Sequence, residues 1–317
     1  MTQTGGTQMT VDRFEWMRNA VRCFAVAGLV IGLAAWCTQP TWAGDDHGHP
    51  CLVVDTDVAT DDFRAFAALF PHVDLRAVVV TEGISSVPRG SMAIVLFLAS
   101  GQSFAPVILG LAAAVPPVYD WLPGARAAAE TINGLLKASV PFSAGSNQLK
   151  LELANALRGC PRVDVLVLGP WSSFIHYAPM LRPLLRHVVA SGRPLAENNP
   201  DNFNCVYDQP ACDKADKFLS TLRSAVWVDL PSDGVSYPPT QAMVDQLAGA
   251  GMPGLLRTAL NNDPSQWLGT RLWDDTAALY VLAPQLFKLN GAHFEPNIDE
   301  DTLRSDLVKA INATPND

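Results

Sequence analysis

Residues 54–62 read Val-Asp-Thr-Asp-Val-Ala-Thr-Asp-Asp, and they set four carboxylates between a short apolar run at 52–54 and an apolar helical pattern that continues to residue 70. A short run that is apolar on both faces predicts a buried strand. Acidic side chains are typical of the first turn of a helix, where the helix dipole favours negative charge. The stretch therefore predicts a strand, a tight turn and a helix, the unit from which parallel sheets are built.

The rest of the chain continues this alternation of β-branched runs and helical patterns. Strands are predicted at 75–81, 106–111, 163–168, 187–190 and 225–230, and helices at 90–100, 124–136, 148–158, 171–185 and 210–219. Beyond residue 230 the chain is predicted to be mostly helical, at 241–250, 273–282 and 301–313. This order predicts an α/β fold with an open, mostly parallel sheet flanked by helices, as in Rossmann-like proteins.

Composition and charge fit one large globular domain. The chain has 317 residues, of which 49% are hydrophobic and 17% are charged, and no linker-like segment divides residues 51–317. The net charge of −9, without clustered Lys or Arg, argues against binding to nucleic acid or to anionic membranes. The composition leaves the oligomeric state open, a homo-oligomer included.

The N-terminal residues have the order of a signal peptide. Arg13, Arg18 and Arg22 precede an apolar run at 24–36, and Ala43 is followed by an acidic segment. The apolar run is shorter than the roughly 20 residues that span a membrane. We therefore expect residues 1–43 to be removed as a signal peptide, residues 44–50 to form a linker, and the protein to be exported to the periplasm or the medium. An uncleaved N-terminal membrane anchor is the alternative.

Four cysteines remain after such cleavage, in a compartment that permits disulfides. They are Cys51, Cys160, Cys205 and Cys212. The short spacing favours a bridge between Cys205 and Cys212, with two buried free thiols as the alternative.

The acidic segment is a candidate metal site. Asp57, Asp61 and Asp62 follow a buried strand, and catalytic groups gather at the carboxyl ends of the strands in open parallel sheets. A helix dipole offsets less than about 1 kcal/mol per exposed acid, so a bound cation is the stronger compensation. All-oxygen ligands suit Ca²⁺ or Mg²⁺. In the alternative interpretation, Thr60 caps the helix and the acids only decorate its first turn.

Four motifs in sequence order resemble those of the inosine/uridine-preferring nucleoside hydrolases. Residues 55–62 (DTDVATDD) are similar to the DxDxxxDD signature of that family, and residues 168–173 (LGPWSS) resemble its Leu-Gly-Pro-Leu-Thr-Asn turn. Residues 202–208 (NFNCVYD) are similar to its Glu-Phe/Trp-Asn segment and the Val-Asp-Pro that follows. Residues 272–278 (LWDDTAA) resemble its Trp/His-Asp-Pro-Leu-Ala motif.

The resemblance implies Ca²⁺-dependent hydrolysis of the N-glycosidic bond of ribonucleosides or related ribosyl compounds. The implied Ca²⁺ ligands are Asp57, Asp62, Asp274 and the backbone carbonyl of Ser172. Asp57 would also be the base that deprotonates the attacking water. The implied substrate contacts are Asp61, Asn198, Asn202, Asn204 and the indole of Trp273, with Asn199 as an alternative to Asn198.

Several positions depart from the family pattern. Val58-Ala59 replaces a Pro-Gly pair, and we expect a different turn or backbone strain at Ala59. Asn202 stands in place of a Glu, Trp273 in place of a His that many relatives carry, and the Gly-Asn that follows the second strand is not evident at 81–84. These changes leave a rival function open, a non-catalytic calcium-containing binding or structural module of the same fold.

Overall fold

A computed structural model describes residues 50–136, 146–197, 202–231 and 237–314. The strands are β1 (Cys51–Thr56), β2 (Asp74–Val80), β3 (Val107–Leu109), β4 (Val163–Val167), β5 (Leu185–Ser191), β6 (Ala225–Val228), β7 (Phe287–Asn290) and β8 (His293–Pro296). The helices are α1 (Thr60–Leu69), α2 (Val87–Ser100), α3 (Leu122–Glu130), α4 (Ser146–Ala156), α5 (Phe174–Leu181), α6 (Phe203–Tyr207), α7 (Gln209–Leu219), α8 (Gln241–Asp245), α9 (Gly251–Asn262), α10 (Trp273–Leu282) and α11 (Glu300–Asn312).

The strands form one sheet in the order β3-β2-β1-β4-β5-β6-β8-β7. All neighbouring strands pair in parallel except β7 and β8, which form an antiparallel hairpin. The chain first moves outward from β1 through β2 to β3 and then returns to place β4 on the other side of β1. The strand order thus reverses between β1 and β4, and ligands of open α/β sheets bind at such a switch point. The predicted fold class is confirmed.

Two apolar layers cover the two faces of the sheet, and successive residues of β1 enter them alternately. Leu52 and Val54 pack into one layer and Cys51 and Val53 into the other. All four are nearly inaccessible to solvent. Because a strand directs successive side chains to opposite faces, a run that is apolar throughout is the pattern of a strand buried on both sides.

Two disulfides join cysteines of the described chain. The bridge between Cys205 and Cys212, at a Cα separation of 5.0 Å, confirms the pair that the spacing favours. The second bridge joins Cys51, at the start of β1, to Cys160, which precedes β4. The sequence did not predict it, because 109 residues separate the two cysteines. Two disulfides are typical of proteins that fold in an oxidising compartment.

The C-terminal region differs from its prediction. Residues 287–296 form the β7–β8 hairpin, although the chain beyond residue 230 was predicted to be mostly helical. The hairpin turns at Gly291, which has φ +61°, and a glycine at positive φ in a two-residue loop is a strong hairpin signal. The helix predicted at 241–250 ends at Asp245. None of the helices that the structure describes has the length and apolar character of a membrane span.

Candidate active site

The turn between β1 and α1 has an unusual backbone at Val58. Its φ is +57°, a left-handed conformation that is rare for a β-branched residue. Three contacts hold it there: the Val58 side chain is buried, its N–H donates to Thr56 Oγ1 at 3.0 Å, and its carbonyl accepts from Ser85 Oγ at 2.7 Å. Ala59 is extended, with φ −96°, so the expected unusual angle lies one residue earlier than we predicted.

The first turn of α1 contains Asp61 and Asp62, and the side chain of Asp62 is buried. Ala59 is the N-cap and Thr60 is already helical, so Thr60 does not cap the helix. The buried carboxylate of Asp62 reaches back to accept from the Ala59 N–H at 2.6 Å and from the Thr56 hydroxyl. These two bonds fix the Asp62 side chain, as in the half of a capping box that an acidic N3 residue supplies.

Three carboxylates from opposite ends of the chain meet at this turn. Asp61, Asp62 and Asp274 each offer one oxygen, and the three oxygens lie within 4.8 Å of one another. Asp274 comes from the first turn of α10, which packs against α1. Asp57 adds a fourth negative charge that acts on both Asp62 and Asp274. These three oxygens belong to Asp62 and Asp274, which are predicted metal ligands, and to Asp61, which the family resemblance assigned to the ribose.

The crowding and burial of these acids raise their pKa values. Burial is the largest cause of the rise in the pKa of Asp57 to about 7 and of Asp61 to about 6. Burial, followed by the charges of the neighbouring aspartates, raises the pKa of Asp62 and Asp274 well above the ordinary value. A cluster of oxygen ligands whose charges repel one another fits a hard divalent cation, which would offset that repulsion.

A pocket of about 890 Å³ opens over the acids, at the carboxyl ends of the strands. Six of the predicted site residues line it: Asp57, Asp61, Asn202, Asn204, Trp273 and Asp274. Among the described residues, Asp62 and Ser172 belong to the predicted set but do not line the pocket. Asn198 lies outside the described residues. The volume is in the range of small-molecule sites.

The asparagines of the pocket are held by the backbone around them. Asn202 is the N-cap of α6, where its side chain accepts from the Cys205 N–H and donates to the Arg193 carbonyl, both at 3.3 Å. Asn204 donates to the carbonyl of Leu168, the residue after β4, at 2.6 Å. The Cys205–Cys212 disulfide joins α6, which carries Asn204, to α7.

Ser172 lies in the predicted turn after β4 and is buried. Its hydroxyl donates to Asp208 Oδ2 at 2.5 Å, which joins the turn to the start of α7. Aromatic side chains also line the pocket. Trp273 and Trp121 are both about half exposed on its lining, and Trp121 lies 5.8 Å from the ring of Phe203.

Several residues that shape the site were not predicted. Arg64 of α1 and Asp275 of α10 are fully buried and form two hydrogen bonds of 2.8 Å, directly beside Asp274. Asp55 is buried below Asp57, and burial raises its pKa to about 7. Arg126 of α3 contacts the loop after β2, and that loop contacts Asp57. The sequence signal for Arg64 was its position as a charged residue in a mostly apolar helix, which indicates a buried charge that needs a partner.

Comparisons with known proteins identify solved structures with a similar fold. No protein-family model matches the chain, and no curated protein matches it. An inosine-guanosine nucleoside hydrolase structure aligns with a TM-score of 0.62 at 15% identity, over 84% of this chain and 100% of that one. A purine-preferring ribonucleoside hydrolase from Gardnerella vaginalis aligns with a TM-score of 0.59 at 15% identity, over 83% and 98% of the two chains.

A third solved structure agrees with these two. The inosine-uridine preferring nucleoside hydrolase from Bacillus anthracis aligns with a TM-score of 0.57 at 14% identity, over 83% of this chain and 99% of that one. The alignments cover nearly the whole length of each solved chain, so they concern the complete domain and not one motif of it. The protein therefore has the fold of the nucleoside hydrolases.

Proposed function

We propose that the protein is an N-ribosyl hydrolase that uses Ca²⁺ and water to cleave the N-glycosidic bond of ribonucleosides or related ribosyl compounds. The observation that carries this proposal is an acidic cluster beside one pocket: Asp57, Asp61 and Asp274 line the pocket, and the buried Asp62 lies within 4.8 Å of Asp61 and Asp274. The fold alone would not support it, because one fold hosts many functions. The pocket also presents the amides and aromatic rings that a nucleoside would contact.

The proposed cation ligands are Asp57, Asp62, Asp274 and the carbonyl of Ser172. Asp62 and Asp274 also belong to the group whose oxygens lie within 4.8 Å, and Asp61 completes that group. Asp61 is therefore proposed to face both the cation and the ribose. A Ca²⁺ held by these residues would offset the repulsion among the carboxylates and would make a water molecule in the site more acidic.

Asp57 is the proposed base. Its Oδ2 accepts from the Ile84 N–H at 2.8 Å, and this contact orients the carboxylate that is proposed to take the proton of the attacking water. As the water oxygen bonds to the anomeric carbon, the N-glycosidic bond breaks and its electron pair passes to the departing nucleobase. The nucleobase takes up a proton from solvent, and Asp57 later releases its own proton to solvent. The sugar gains positive charge during this step, and the fixed negative charges of the site stabilise it. Asn202 and Asn204 are proposed to contact the ribose, and Trp273 is proposed to stack on the nucleobase.

The test is Asp57→Asn, which keeps the size of the side chain but removes its ability to accept a proton. Ribose release from a nucleoside panel, measured as reducing sugar in the presence of Ca²⁺, should fall about 10² to 10⁴ fold. Nucleoside binding should largely persist. Asp301→Asn is the matched control, because the Asp301 side chain is 94% exposed. Full turnover by Asp57→Asn would contradict the proposed role of Asp57.

A second candidate function is a calcium-containing binding module without turnover. It is favoured by Ile84, an apolar residue on the pocket wall where the family pattern has a polar ribose contact, and by the uncharged Asn202. Wild-type protein that binds Ca²⁺ but releases ribose from no nucleoside in the panel would establish this function instead.

We further propose that the protein acts outside the cytoplasm, with residues 1–43 as its signal peptide and 51–317 as its single domain. The two disulfides support an oxidising compartment. Intact-mass analysis of the protein from its native host should find a chain that begins near Gly44. A mass that retains Met1 would leave the anchored alternative.

A further inference from the structure

The loop of residues 83–86, which follows β2, lies against Asp57. The Ile84 N–H donates to Asp57 Oδ2 at 2.8 Å, and the Ser85 N–H donates to the Asp57 carbonyl at 2.9 Å. Gly83 packs so closely on the carboxylate that a Cβ at this position would overlap the Asp57 side chain. The loop therefore determines how the Asp57 carboxylate is oriented.

Helix α3 holds both ends of this loop. Arg126 Nε donates to the Ile84 carbonyl at 2.8 Å, and Arg126 Nη2 donates to the Gly83 carbonyl at 2.9 Å. Four residues later, Glu130 Oε1 accepts from the Ser86 N–H at 2.9 Å. Residues four apart share one face of a helix, so Arg126 and Glu130 form a two-point contact, which we call the α3 clamp.

The planarity of one peptide bond links the clamp to Asp57. The Gly83 carbonyl and the Ile84 N–H belong to the same peptide group, and in a trans peptide they point in opposite directions. The guanidinium of Arg126 holds the carbonyl on one side, so the N–H is directed to the other side, where Asp57 Oδ2 lies. A second bond from the same guanidinium, to the Ile84 carbonyl, restricts rotation of the next peptide group.

The fork shape of the guanidinium matters for this contact. Its N–H groups are held in one plane and reach two carbonyls at once, whereas a lysine ammonium is a single point charge on a flexible stem. The Arg126 side chain is also 28% exposed, so it is not a core residue whose loss would empty a cavity. Its bonds to Glu82 Oε1 and to the Tyr207 hydroxyl are long, both 3.4 Å. The two carbonyl contacts are thus its shortest contacts.

We propose that Arg126, supported by Glu130, is a positioning residue that orients the Asp57 carboxylate through the 83–86 loop. The proposal rests on the proposed function, in which Asp57 is the base. Loss of the guanidinium frees the Gly83–Ile84 peptide to rotate, and the Ile84 N–H then leaves Asp57 Oδ2. The Asp57 carboxylate turns away from the attacking water, while the residues that contact the ribose and the nucleobase stay in place.

The experiment compares Arg126→Ala and Arg126→Lys with Arg158→Ala, whose arginine is exposed and donates to Asn155 Oδ1 near the end of its own helix. We expect kcat for ribose release to fall about 10 to 100 fold in Arg126→Ala, because small misplacements of a catalytic group cost rates of that order. KM should change less than threefold. Arg126→Lys should recover only a minor part of kcat, and added methylguanidinium should restore kcat in Arg126→Ala but not in Arg126→Lys.

Amide hydrogen exchange at Ile84 gives a measurement that needs no activity. Exchange should be at least tenfold faster in Arg126→Ala than in the wild type or in Arg158→Ala, while the melting temperature of all three stays within a few degrees. Unchanged exchange at Ile84, or faster exchange with unchanged kcat, would overturn the positioning role. If the wild type releases no ribose, the proposed function fails by itself, and the clamp is judged by exchange alone, with unchanged exchange overturning it.

Discussion

The buried ion pair between Arg64 and Asp275 should be one of the most sensitive points of the fold. Both side chains are 0% exposed, and two N–O distances of 2.8 Å join them. Replacing one member leaves the other charge buried without its partner, which typically costs about 3 to 5 kcal/mol. In Asp275→Leu, Arg64 cannot lose its proton and keeps only the more distant charges of Asp61 and Asp274, so we expect a cost near about 3 kcal/mol and a melting temperature lower by about 6 to 12 °C.

The reverse replacement should depend on pH. Burial raises the pKa of Asp275, and the Arg64 guanidinium opposes that rise. Arg64→Met removes the opposing charge, so the pKa of Asp275 rises further and the native state binds a proton that the unfolded chain releases. Stability then falls as pH increases. Arg64→Met should therefore be more destabilised at pH 8 than at pH 5.

The double replacement Arg64→Met/Asp275→Leu completes the cycle. Apolar residues of similar volume often replace a buried pair at little cost, so the double variant should be more stable than Asp275→Leu by at least about 2 kcal/mol. Urea unfolding at pH 7 in the presence of Ca²⁺ measures all four proteins. The control is Asp74→Leu, which breaks the half-exposed pair with Arg76 at 2.9 Å and should cost no more than about 1 kcal/mol. Equal losses in Asp275→Leu and Asp74→Leu would refute the reasoning.

Three further predictions concern the cation site, the turn and the disulfides. With the cation chelated, stability in urea should fall as pH rises from the ordinary aspartate pKa of 3.8 to about 7, because burial raises the pKa of Asp57 to about 7 and the native state holds the extra proton. Saturating Ca²⁺ should flatten that slope; an equal slope with and without Ca²⁺ would count against the site. Val58→Gly should be more stable than Val58→Ala by about 1 kcal/mol in the same assay, the reverse of the usual order, because φ is +57° there. Removal of the Cys51–Cys160 bridge, which closes 109 residues, should lower the free energy of unfolding by about 5 kcal/mol. Removal of the Cys205–Cys212 bridge, which closes 7 residues, should lower it by about 2 kcal/mol. Equal losses would show that loop length does not decide the effect.

The fold and the acidic segment after β1 could be predicted from the sequence because both follow from local patterns. Apolar runs of strand length alternate with helical patterns, and this order specifies a parallel sheet. The rule that loops converge at the carboxyl ends of parallel strands then brings Asp57, after β1, close to the turn after β4. Asp274 was assigned to the same place through a resemblance to a known motif, since no local pattern relates residue 274 to residue 57.

The parts that could not be predicted depend on contacts between distant segments. Arg64 and Asp275 are 211 residues apart, and each alone is only a charged residue on an apolar helix. Arg126 acts through the backbone of another loop, which leaves no trace in its own surroundings in the sequence. The positive φ of Val58 arises because its side chain and both of its backbone groups are held by neighbours, which overrides the local preference of a β-branched residue.

The joining of α1 to α10 also determines when the site can come into existence. The contact between Arg64 and Asp275 closes 211 residues of chain, so it cannot form on a nascent chain that ends before α10. Closing a loop of this length lowers the entropy of the chain before any favourable contact has formed. Proteins that are rich in such distant contacts therefore fold slowly. Asp62 lies on α1 and Asp274 on α10, so the pairing of these helices brings the two carboxylates together. A cation that needs both carboxylates would therefore bind a chain that has already folded, and it would stabilise the folded protein without helping to start its folding.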